Sequence, residues 1–410
     1  MIARHVSDIL LAALRDTPVV FLNGARQTGK STLAHALAQG SHPASYVTLD
    51  DATALSAASS DATGFVGGLP EPVVIDEVQR APDVFLAIKG EVDRRRTPGR
   101  FLLTGSANVW LLPTLAESLV GRMEVVTLWP LSQGELVGKR EDFVDRLFAG
   151  GPPGPGRLPQ PEEDLAQVVL AGGYPEAVER KDPARRSAWF GAYLTTLLQR
   201  DVREMAHIEG LTELPRLLAL LAARAGSLLN ASELSRASGI PTTTLRRYLS
   251  LLEAAFLFVP LPAWSANLSK RLIKMPKIFL NDTGLAGYLQ GLDAARLRSD
   301  RRLLGPLLEN WVSMELRKQS GWSRCRVSLF HFRTVSGQEV DLVLEDPTGA
   351  VAAVEVKASA QVTADDFRGL KALKELSGDR FRCGVILYAG RATIPFGADL
   401  WAAPIGSLWA

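Results

Sequence analysis

A stretch near the N-terminus, from Gly24 to Ser31, has residue types and a spacing that bind phosphate groups. Its sequence is Gly-Ala-Arg-Gln-Thr-Gly-Lys-Ser; it follows the apolar run Val19–Leu22 and precedes a helical pattern that begins at Thr32. Glycine allows successive backbone N–H groups to point at one anion, and the N-terminus of a helix adds a partial positive charge. This order of strand, loop and helix predicts a phosphate loop that binds ATP.

The polar side chains of the predicted phosphate loop have distinct chemical roles. We expect Lys30 to contact the β- and γ-phosphates and the Ser31 hydroxyl to bind Mg²⁺, so ATP and Mg²⁺ are the predicted cofactors. Arg26 is a second cation near the nucleotide, and the sequence assigns it no role. The residues predicted to bind the nucleotide are Gly24, Ala25, Arg26, Gln27, Thr28, Gly29, Lys30, Ser31, Thr32 and Asp76.

Polar residues that follow two other apolar runs supply further groups that hydrolysis requires. Asp76 and Glu77 end one run, where an aspartate helps to hold Mg²⁺ and an adjacent glutamate polarises the attacking water. Thr104 and Ser106 end another, where a hydroxyl can sense the γ-phosphate or orient water, and Thr104 is the preferred candidate. The alternative for this second run is a strand end with a simple Ser/Thr turn.

One arginine downstream, Arg122, completes the set of predicted catalytic residues. Its guanidinium could offset charge in the transition state of its own chain, or it could reach into a neighbouring subunit. An ordinary surface arginine is an equal alternative. The predicted catalytic residues are Lys30, Glu77, Thr104 and Arg122.

These residues need a scaffold that brings the ends of several strands to one edge. Residues 1–140 alternate apolar runs with helical stretches, a pattern typical of a parallel sheet wrapped by helices. A stretch rich in proline and glycine begins at Gly150, and residues 165–257 are mostly helical in pattern. A strand pattern returns from Leu329. We therefore predict an α/β protein whose parallel sheet is followed by a helical middle and a second α/β domain.

The composition limits the classes of protein to which the chain can belong. Its 410 residues include 46 Lys or Arg and 44 Asp or Glu, so the formal net charge is +2 and a nucleic-acid site would need a local basic patch. Two cysteines are too few for a disulfide framework and suit a reducing cytosol. No apolar stretch has the form of a signal peptide or a membrane span. We expect a cytoplasmic protein without a membrane partner, and homo-oligomer formation stays open.

Residues 230–253 have the pattern of a helix–turn–helix. A polar residue caps the first helix, Gly239 ends it in a left-handed conformation, and Pro241 begins the second helix. In DNA-binding proteins of this kind the second helix enters the major groove, where arginine meets phosphate or guanine. Arg246 and Arg247 are therefore the predicted DNA contacts. The alternative is a winged-helix module that serves only to pack domains together.

Three carboxylates and a lysine in the C-terminal part have a spacing that could form a second site. Asp341 lies in the alternating run Glu339–Glu345, and Glu355 and Lys357 lie in the next run, so a hairpin brings the three side chains together. Glu309 lies upstream on a helical pattern. This is the D…E-x-K arrangement of restriction-type nucleases, in which carboxylates hold Mg²⁺ and the lysine helps to stabilise the pentavalent phosphate. The predicted ligands of this second metal are Glu309, Asp341 and Glu355, and the alternative is a hairpin with solvated charges.

The motifs of the whole chain resemble those of one family. The loop Arg26–Thr32, Ile75-Asp-Glu-Val-Gln79 and Leu103-Thr-Gly-Ser106 are similar to the AAA-type ATPase domain of uncharacterised bacterial and archaeal ATP-binding proteins. Five later motifs resemble the C-terminal domain of unknown function found with that ATPase domain. They are Gly172-Gly-Tyr-Pro-Glu176, Gln199-Arg-Asp201, Lys277-Ile-Phe-Leu-Asn-Asp-Thr-Gly284, Leu308-Glu-Asn310 and Phe332-Arg-Thr-Val-Ser-Gly-Gln-Glu-Val-Asp341.

This resemblance implies a domain organisation. It comprises a P-loop AAA-type ATPase domain at residues 1–140, a linker and helical segment at 141–210, a winged-helix-like domain at 211–265, and a restriction-endonuclease-like α/β domain at 266–410. The resemblance also supports Glu309, Asp341, Glu355 and Lys357 as the residues matching the nuclease-like motif.

Three functional hypotheses are compatible with these patterns. The first is an ATP- and Mg²⁺-dependent AAA-type ATPase coupled to nucleic-acid binding or processing, with DNA as the expected partner; the complete carboxylate–lysine set favours it. The second is a nucleotide-gated switch with a non-catalytic nuclease-like domain, which the small net charge favours. The third is a scaffold that binds no nucleotide, which Lys30 and Asp76 argue against.

Overall fold

A computed structural model describes residues 2–106, 119–150, 164–202, 213–267, 269, 271 and 274–410, with the backbone alone at residues 200–202. The described chain divides into two compact units. The smaller unit consists of Ala3–Leu131 and Ser250–Leu257, and the larger unit consists of Ser132–Leu249 and Phe258–Ala410 together with Ile2. The predicted segments after residue 140 therefore lie in the larger unit, except for residues 250–257.

The smaller unit is built on a sheet of five parallel strands, which confirms the predicted α/β pattern. The strands are β1 (Val19–Asn23), β2 (Ser45–Thr48), β3 (Val73–Asp76), β4 (Phe101–Gly105) and β5 (Met123–Thr127). Their order in the sheet is β2-β3-β4-β1-β5. The strands run in one direction, so the carboxyl ends of β1, β3 and β4 meet at one edge, where ligands bind in open α/β sheets.

Helices pack on both faces of this sheet because its central strands are buried on both sides. The helices are α1 (Ser7–Asp16), α2 (Lys30–Gln39), α3 (Ala52–Ser60), α4 (Ala62–Gly68) and α5 (Asp83–Arg94). Neighbouring residues of β1 enter different cores: Phe21 packs edge to face against Phe85, with ring centroids 6.2 Å apart, whereas Leu22 packs with Leu33. Each such buried side chain contributes roughly 1.5–3 kcal/mol to folding, and together they hold the strand ends in place.

The larger unit begins with helices. They are α6 (Gln133–Val137), α7 (Phe143–Ala149), α8 (Leu165–Ala171), α9 (Pro175–Glu179), α10 (Pro183–Thr196), α11 (Leu214–Ala223), α12 (Ala231–Ser238) and α13 (Thr242–Ala254), and a π-helical turn spans Leu197–Val202. The last turn of α13 belongs to the smaller unit.

The helix pair α12–α13 forms where the sequence predicts a helix–turn–helix. The Asn230 side chain accepts a hydrogen bond from the Glu233 backbone N–H at 3.1 Å, and so caps α12. Gly239 ends α12 with φ 77°, a left-handed conformation that glycine adopts without strain. Strand β6 (Phe258–Leu261) follows α13 and pairs in antiparallel fashion with β7 (Lys277–Leu280).

A six-stranded mixed sheet forms the C-terminal part of the larger unit. Its strands are β8 (Ser328–Arg333), β9 (Glu339–Glu345), β10 (Val351–Lys357), β11 (Phe381–Tyr388), β12 (Ile394–Pro395) and β13 (Leu400–Pro404), in the order β12-β13-β11-β10-β9-β8. The accompanying helices are α14 (Thr283–Leu289), α15 (Ala294–Ser299), α16 (Arg301–Ser320) and α17 (Arg368–Ser377). Leu370 and Leu373 of α17 pack with Val343 and Ala353 in the core.

Every helix in the described part of the chain is too short or too polar to cross a membrane.

Candidate functional site

The phosphate loop joins β1 to α2 with a backbone that requires glycine at both ends of the motif. At Gly24, where φ is 149°, a Cβ would lie 2.2 Å from the Leu128 carbonyl oxygen, so any side chain would clash with the backbone. Gly29 precedes α2 with φ 93°, a conformation that other residues rarely adopt. The close approach and the left-handed turn together explain why the motif begins and continues with glycine.

Lys30 is buried, and its ammonium bonds back to the backbone of the phosphate loop. Its Nζ donates a hydrogen bond to the Ala25 carbonyl oxygen at 2.9 Å, and the Thr28 hydroxyl donates to the same oxygen at 2.9 Å. Lys30 is only 4% exposed. An ammonium held inside the loop is placed to meet a phosphate that the loop encloses.

The other loop residues differ in exposure. Gln27 is exposed and has φ 65°, Arg26 is half-buried, and Thr32 is exposed on the first turn of α2. Arg4, which the sequence does not predict as part of the site, donates from Nη1 to the Thr28 carbonyl oxygen at 2.7 Å and from Nη2 to the Trp129 carbonyl oxygen at 2.6 Å. The segment before α1 therefore supports the phosphate loop through a charge-assisted contact.

Ser31 and Asp76, the residues predicted to bind Mg²⁺, lie side by side. The Ser31 hydroxyl donates to Asp76 Oδ1 at 3.0 Å, Thr48 donates to Asp76 Oδ2 at 3.4 Å, and Thr104 also donates to Asp76 Oδ1. Adjacent oxygen ligands around an octahedral Mg²⁺ lie about 2.9 Å apart, since each Mg–O bond is about 2.0–2.1 Å. The spacing and the hard oxygen donors therefore fit Mg²⁺, and Ser31 and Asp76 are the residues that would hold it.

The raised pKa of Tyr46 reflects its burial first and the negative charge of this edge of the sheet second. Burial raises the pKa of its hydroxyl, and the neighbouring carboxylates, chiefly Asp76 and then Glu77, raise it further because they oppose a second anion. A cation bound between these groups would be stabilised by the same field.

Glu77 lies at the end of β3 in a left-handed conformation with φ 57°, and polar neighbours hold its carboxylate. Its Oε2 accepts from Gln79 Nε2 at 2.5 Å and from the Ser106 hydroxyl at 3.3 Å. Its backbone N–H donates to the Thr104 hydroxyl at 3.1 Å. Thr104 thus links Asp76 to the backbone of Glu77, and its predicted role in sensing the γ-phosphate stays a prediction.

Arg122 lies at the opposite edge of the sheet from the phosphate loop. The register of β1 and β5 pairs Val19 with Met123, so Arg122 lies beside the start of β1, whereas the loop follows its end. A strand of this length separates the two edges by roughly 16 Å. Arg122 Nε is also paired with Asp93 Oδ1 at 2.6 Å. This geometry contradicts the predicted contact of Arg122 with the nucleotide of the same chain. A contact of Arg122 with the nucleotide of a neighbouring subunit stays a prediction.

Asp341 and Glu355 meet across the β9–β10 hairpin, as their alternation in the sequence predicts. The antiparallel register pairs Leu342 with Val354, so the preceding Asp341 lies opposite the following Glu355. The Asp341 backbone N–H donates to Glu355 Oε2 at 3.3 Å, and the Val356 backbone N–H donates to Asp341 Oδ2 at 3.0 Å. Both side chains therefore point to the same side of the hairpin.

Two lysines complete this carboxylate cluster, and the sequence predicts only one of them. Lys357 Nζ lies 3.2 Å from Glu355 Oε1. Lys277 of β7, which the sequence does not predict as a site residue, places Nζ 2.6 Å from Glu309 Oε1 and 3.0 Å from Asp341 Oδ1. The five side chains Lys277, Glu309, Asp341, Glu355 and Lys357 form what we call the carboxylate–lysine cluster.

The charges of the cluster shift the pKa values of its members. Burial and the neighbouring Asp341 carboxylate raise the pKa of both Glu309 and Glu355 above the ordinary range. Burial lowers the pKa of Lys277, but the carboxylates of Asp341 and Glu309 outweigh it and raise the pKa above the ordinary value. The two carboxylates therefore favour the charged form of Lys277.

The cluster differs from the predicted metal site because a lysine ammonium lies among its carboxylates. Over the residues that the structure describes, no three or more His, Cys, Asp or Glu side chains are arranged to hold a metal ion. The Lys277 ammonium lies between Glu309 and Asp341, where the sequence predicts Mg²⁺. The predicted ligands are thus close together, but their neighbour here is an ammonium.

The predicted DNA contacts Arg246 and Arg247 are exposed on α13, whereas Leu245 beside them is buried. The two arginines lie in the larger unit, whereas the phosphate loop lies in the smaller unit.

Comparison with protein families divides the chain into three matching regions. Residues 16–137 match the family described as an AAA domain, which contains the phosphate loop and the strands around it. Residues 162–296 match a domain of unknown function, DUF8612, and residues 304–408 match a second one, DUF4143. Lys277 lies in the first of these two regions, and the three carboxylates lie in the second.

Comparison with curated proteins gives bacterial relatives. An uncharacterized protein of Mycobacterium bovis and one of Mycobacterium tuberculosis are each 31% identical over 404 residues, which cover 98% of this chain and 83% of the relative. An uncharacterized protein of Haemophilus influenzae is 26% identical over 228 residues, which cover 53% of this chain and 51% of the relative. The two mycobacterial proteins therefore share nearly the whole length of the chain.

Proposed function

Because this chain belongs to one family with uncharacterized mycobacterial proteins and matches both an AAA domain and DUF4143, we propose that it is a Mg²⁺-dependent ATPase. The AAA domain indicates nucleotide binding, and the proposal extends this to hydrolysis. One observation carries it: the Ser31 hydroxyl and the Asp76 carboxylate lie 3.0 Å apart, directly beside Lys30 and Glu77 in sequence. Groups for the phosphates, the metal and the water are thus gathered at one edge of the sheet.

In this mechanism each residue of the edge has a defined task. The phosphate loop binds the β- and γ-phosphates through backbone N–H groups, and Lys30 offsets their charge. Mg²⁺ held by Ser31 and Asp76 would neutralise charge that develops during phosphoryl transfer. Glu77 accepts a proton from the attacking water. Gln79 and Ser106 both donate to Glu77 Oε2, so these contacts orient the carboxylate and do not involve its other oxygen.

The experiment that tests this proposal replaces Asp76 with asparagine and measures ATP binding as Mg²⁺ is varied. Asp76→Asn should raise the Mg²⁺ concentration for half-maximal ATP binding by roughly tenfold or more, because a neutral amide is a poor ligand. The amide oxygen can still accept from Thr104, so the fold is retained. Asp83→Asn, an exposed aspartate of the same unit, is the matched control. An unchanged Mg²⁺ dependence in Asp76→Asn would contradict the assignment.

We further propose that the larger unit couples this ATPase to DNA through α13. The support is the turn between α12 and α13, the exposure of Arg246 and Arg247, and the burial of Leu245 on the opposite face. A helix with one packed face and one basic face suits insertion into the major groove.

Replacing Arg246 and Arg247 with glutamate should weaken DNA binding and reduce its salt dependence by about two phosphate contacts. Fluorescence anisotropy of a labelled duplex at several salt concentrations measures both quantities. Changing Lys181 and Arg185 to glutamate alters the net charge equally at another exposed place. If both double variants lose affinity to the same extent, α13 is not the contact surface.

A second candidate function is a nucleotide-gated switch whose nuclease-like region binds without cleaving. The observation that favours it is the Lys277 ammonium between Glu309 and Asp341, because a nuclease of the D…E-x-K type needs a divalent cation there. Incubating labelled DNA with the protein, ATP and Mg²⁺ or Mn²⁺ distinguishes the two. Cleavage that Asp341→Ala abolishes supports the nuclease, whereas DNA binding without cleavage supports the switch.

A further inference from the structure

The carboxylate–lysine cluster is assembled from two regions that match different families. Lys277 belongs to the region that matches DUF8612, whereas Glu309, Asp341 and Glu355 belong to the region that matches DUF4143. All four lie in the larger unit. The cluster therefore contains a cation that the DUF4143 region alone does not supply.

Backbone pairing on both sides of Lys277 fixes its position in the fold. Lys277 begins β7, where it pairs with Leu261 of β6 and forms an antiparallel bridge with Leu228. Neighbouring Ile278 accepts a hydrogen bond from the Gly226 backbone N–H at 2.8 Å. Because β7 is paired on both sides at Lys277, the backbone holds the Lys277 ammonium next to Glu309 and Asp341.

Gly226, whose backbone N–H bonds to Ile278, also lies against the Glu309 carboxylate. Gly226 has φ 79°, and a Cβ on it would lie 2.8 Å from Glu309 Oε2. The Lys277 side chain is 6% exposed, the lowest exposed fraction in the cluster. Buried charges require pairing, and the pair Lys277–Glu309 at 2.6 Å meets this requirement.

Every carboxylate of the cluster already has a partner that acts as a donor. Glu309 Oε1 and Asp341 Oδ1 share the Lys277 ammonium, Asp341 Oδ2 accepts from the Val356 backbone N–H, and Glu355 accepts from Lys357 and from the Asp341 backbone N–H. A divalent cation would need Glu309 Oε1 and Asp341 Oδ1 at about 2.1 Å from its centre. An ammonium and a metal ion cannot occupy that position together.

We propose that Lys277 is an internal cation that fills the metal position of the carboxylate–lysine cluster, so that the native chain excludes divalent cations there. Removing the ammonium leaves Glu309 Oε1 and Asp341 Oδ1 without the cation that they share, so that a divalent cation can take its place. Lys277 thus determines whether this cluster binds metal, and this inference does not depend on ATP hydrolysis in the smaller unit.

Mn²⁺ binding to the full-length chain without nucleotide tests this proposal, with free Mn²⁺ followed by electron paramagnetic resonance. Lys277→Met should bind about one more Mn²⁺ per chain than the wild type, since Glu309 and Asp341 then lack the cation that they share. Adding Asp341→Asn to Lys277→Met should abolish the gain. Lys277→Arg, which keeps the positive charge, should bind as the wild type does. Mn²⁺ bound at the phosphate loop is common to all these proteins and cancels in the comparison.

A folded Lys277→Met chain that gains no Mn²⁺, or an equal gain in Lys277→Arg, would overturn the proposal. If Lys277→Met does not fold, Asp341→Asn in the Lys277 background decides the matter. An unchanged Mn²⁺ stoichiometry then supports exclusion of metal by Lys277, and a loss of bound Mn²⁺ refutes it. Mn²⁺ should also raise the unfolding temperature of Lys277→Met by more than that of the wild type, because a ligand stabilises the state that binds it.

Discussion

Lys30→Met is expected to remove ATP hydrolysis almost completely, with a fall of roughly 10²–10³-fold or more in kcat/KM. The methionine side chain keeps nearly the length of lysine and remains compatible with a buried position, so the loss is one of charge. Without the ammonium, the loop loses the buried cation that offsets the charge of the β- and γ-phosphates. Steady-state phosphate release at saturating Mg²⁺ measures this effect.

Lys371→Met is the matched control, because Lys371 is an exposed lysine of the larger unit. It should hydrolyse ATP at the wild-type rate and show that loss of a lysine charge elsewhere has no effect. Unchanged unfolding temperatures for both variants would exclude misfolding as the cause. Hydrolysis by Lys30→Met at the wild-type rate would mean that the phosphate loop is not where ATP reacts.

Glu77→Gln is expected to retain ATP binding and to lower kcat by roughly 10²–10⁴-fold, the usual contribution of a general base. The amide has the size of the carboxylate but cannot take a proton from water. The left-handed backbone at Glu77 and its N–H bond to Thr104 do not involve the side chain, so they are unaffected. Binding of a fluorescent ATP analogue and single-turnover hydrolysis separate the two effects.

Glu375→Gln provides the comparison for this second prediction, since Glu375 is exposed on α17. A wild-type single-turnover rate in Glu77→Gln would assign the proton transfer to another group. A loss of nucleotide binding in Glu77→Gln would instead indicate that the carboxylate supports the loop rather than the chemistry.

The sequence could predict the phosphate loop and the strands around it because these depend on local patterns. Predicted strands such as Val19–Leu22 and Phe101–Leu103 differ from β1 and β4 by only one or two residues at their ends. The loop follows from the glycine spacing and from the adjacent strand and helix. Asp341 and Glu355 could be brought together from alternation alone, since two strands joined by a short turn leave few alternatives.

Contacts between distant segments could not be predicted in this way. Lys277 reaches Glu309 and Asp341 across 32 and 64 residues, and no periodicity encodes such a distance. Arg4 bonds to Trp129, 125 residues away, for the same reason. Gln79 belongs to a motif that resembles the family, but its hydrogen bond to Glu77 depends on the turn after β3. The position of Arg122 required the register of β5 against β1, which only the folded sheet defines.

Phosphate release from ATP by the purified wild-type chain, in Mg²⁺ and then with excess EDTA, tests whether Lys30, Ser31, Asp76 and Glu77 form one Mg²⁺-dependent ATP-hydrolysing site. We predict steady release in Mg²⁺, no release after chelation, and almost no release by Lys30→Met in Mg²⁺. Release that continues in EDTA, or no release by folded protein saturated with ATP and Mg²⁺, would contradict it.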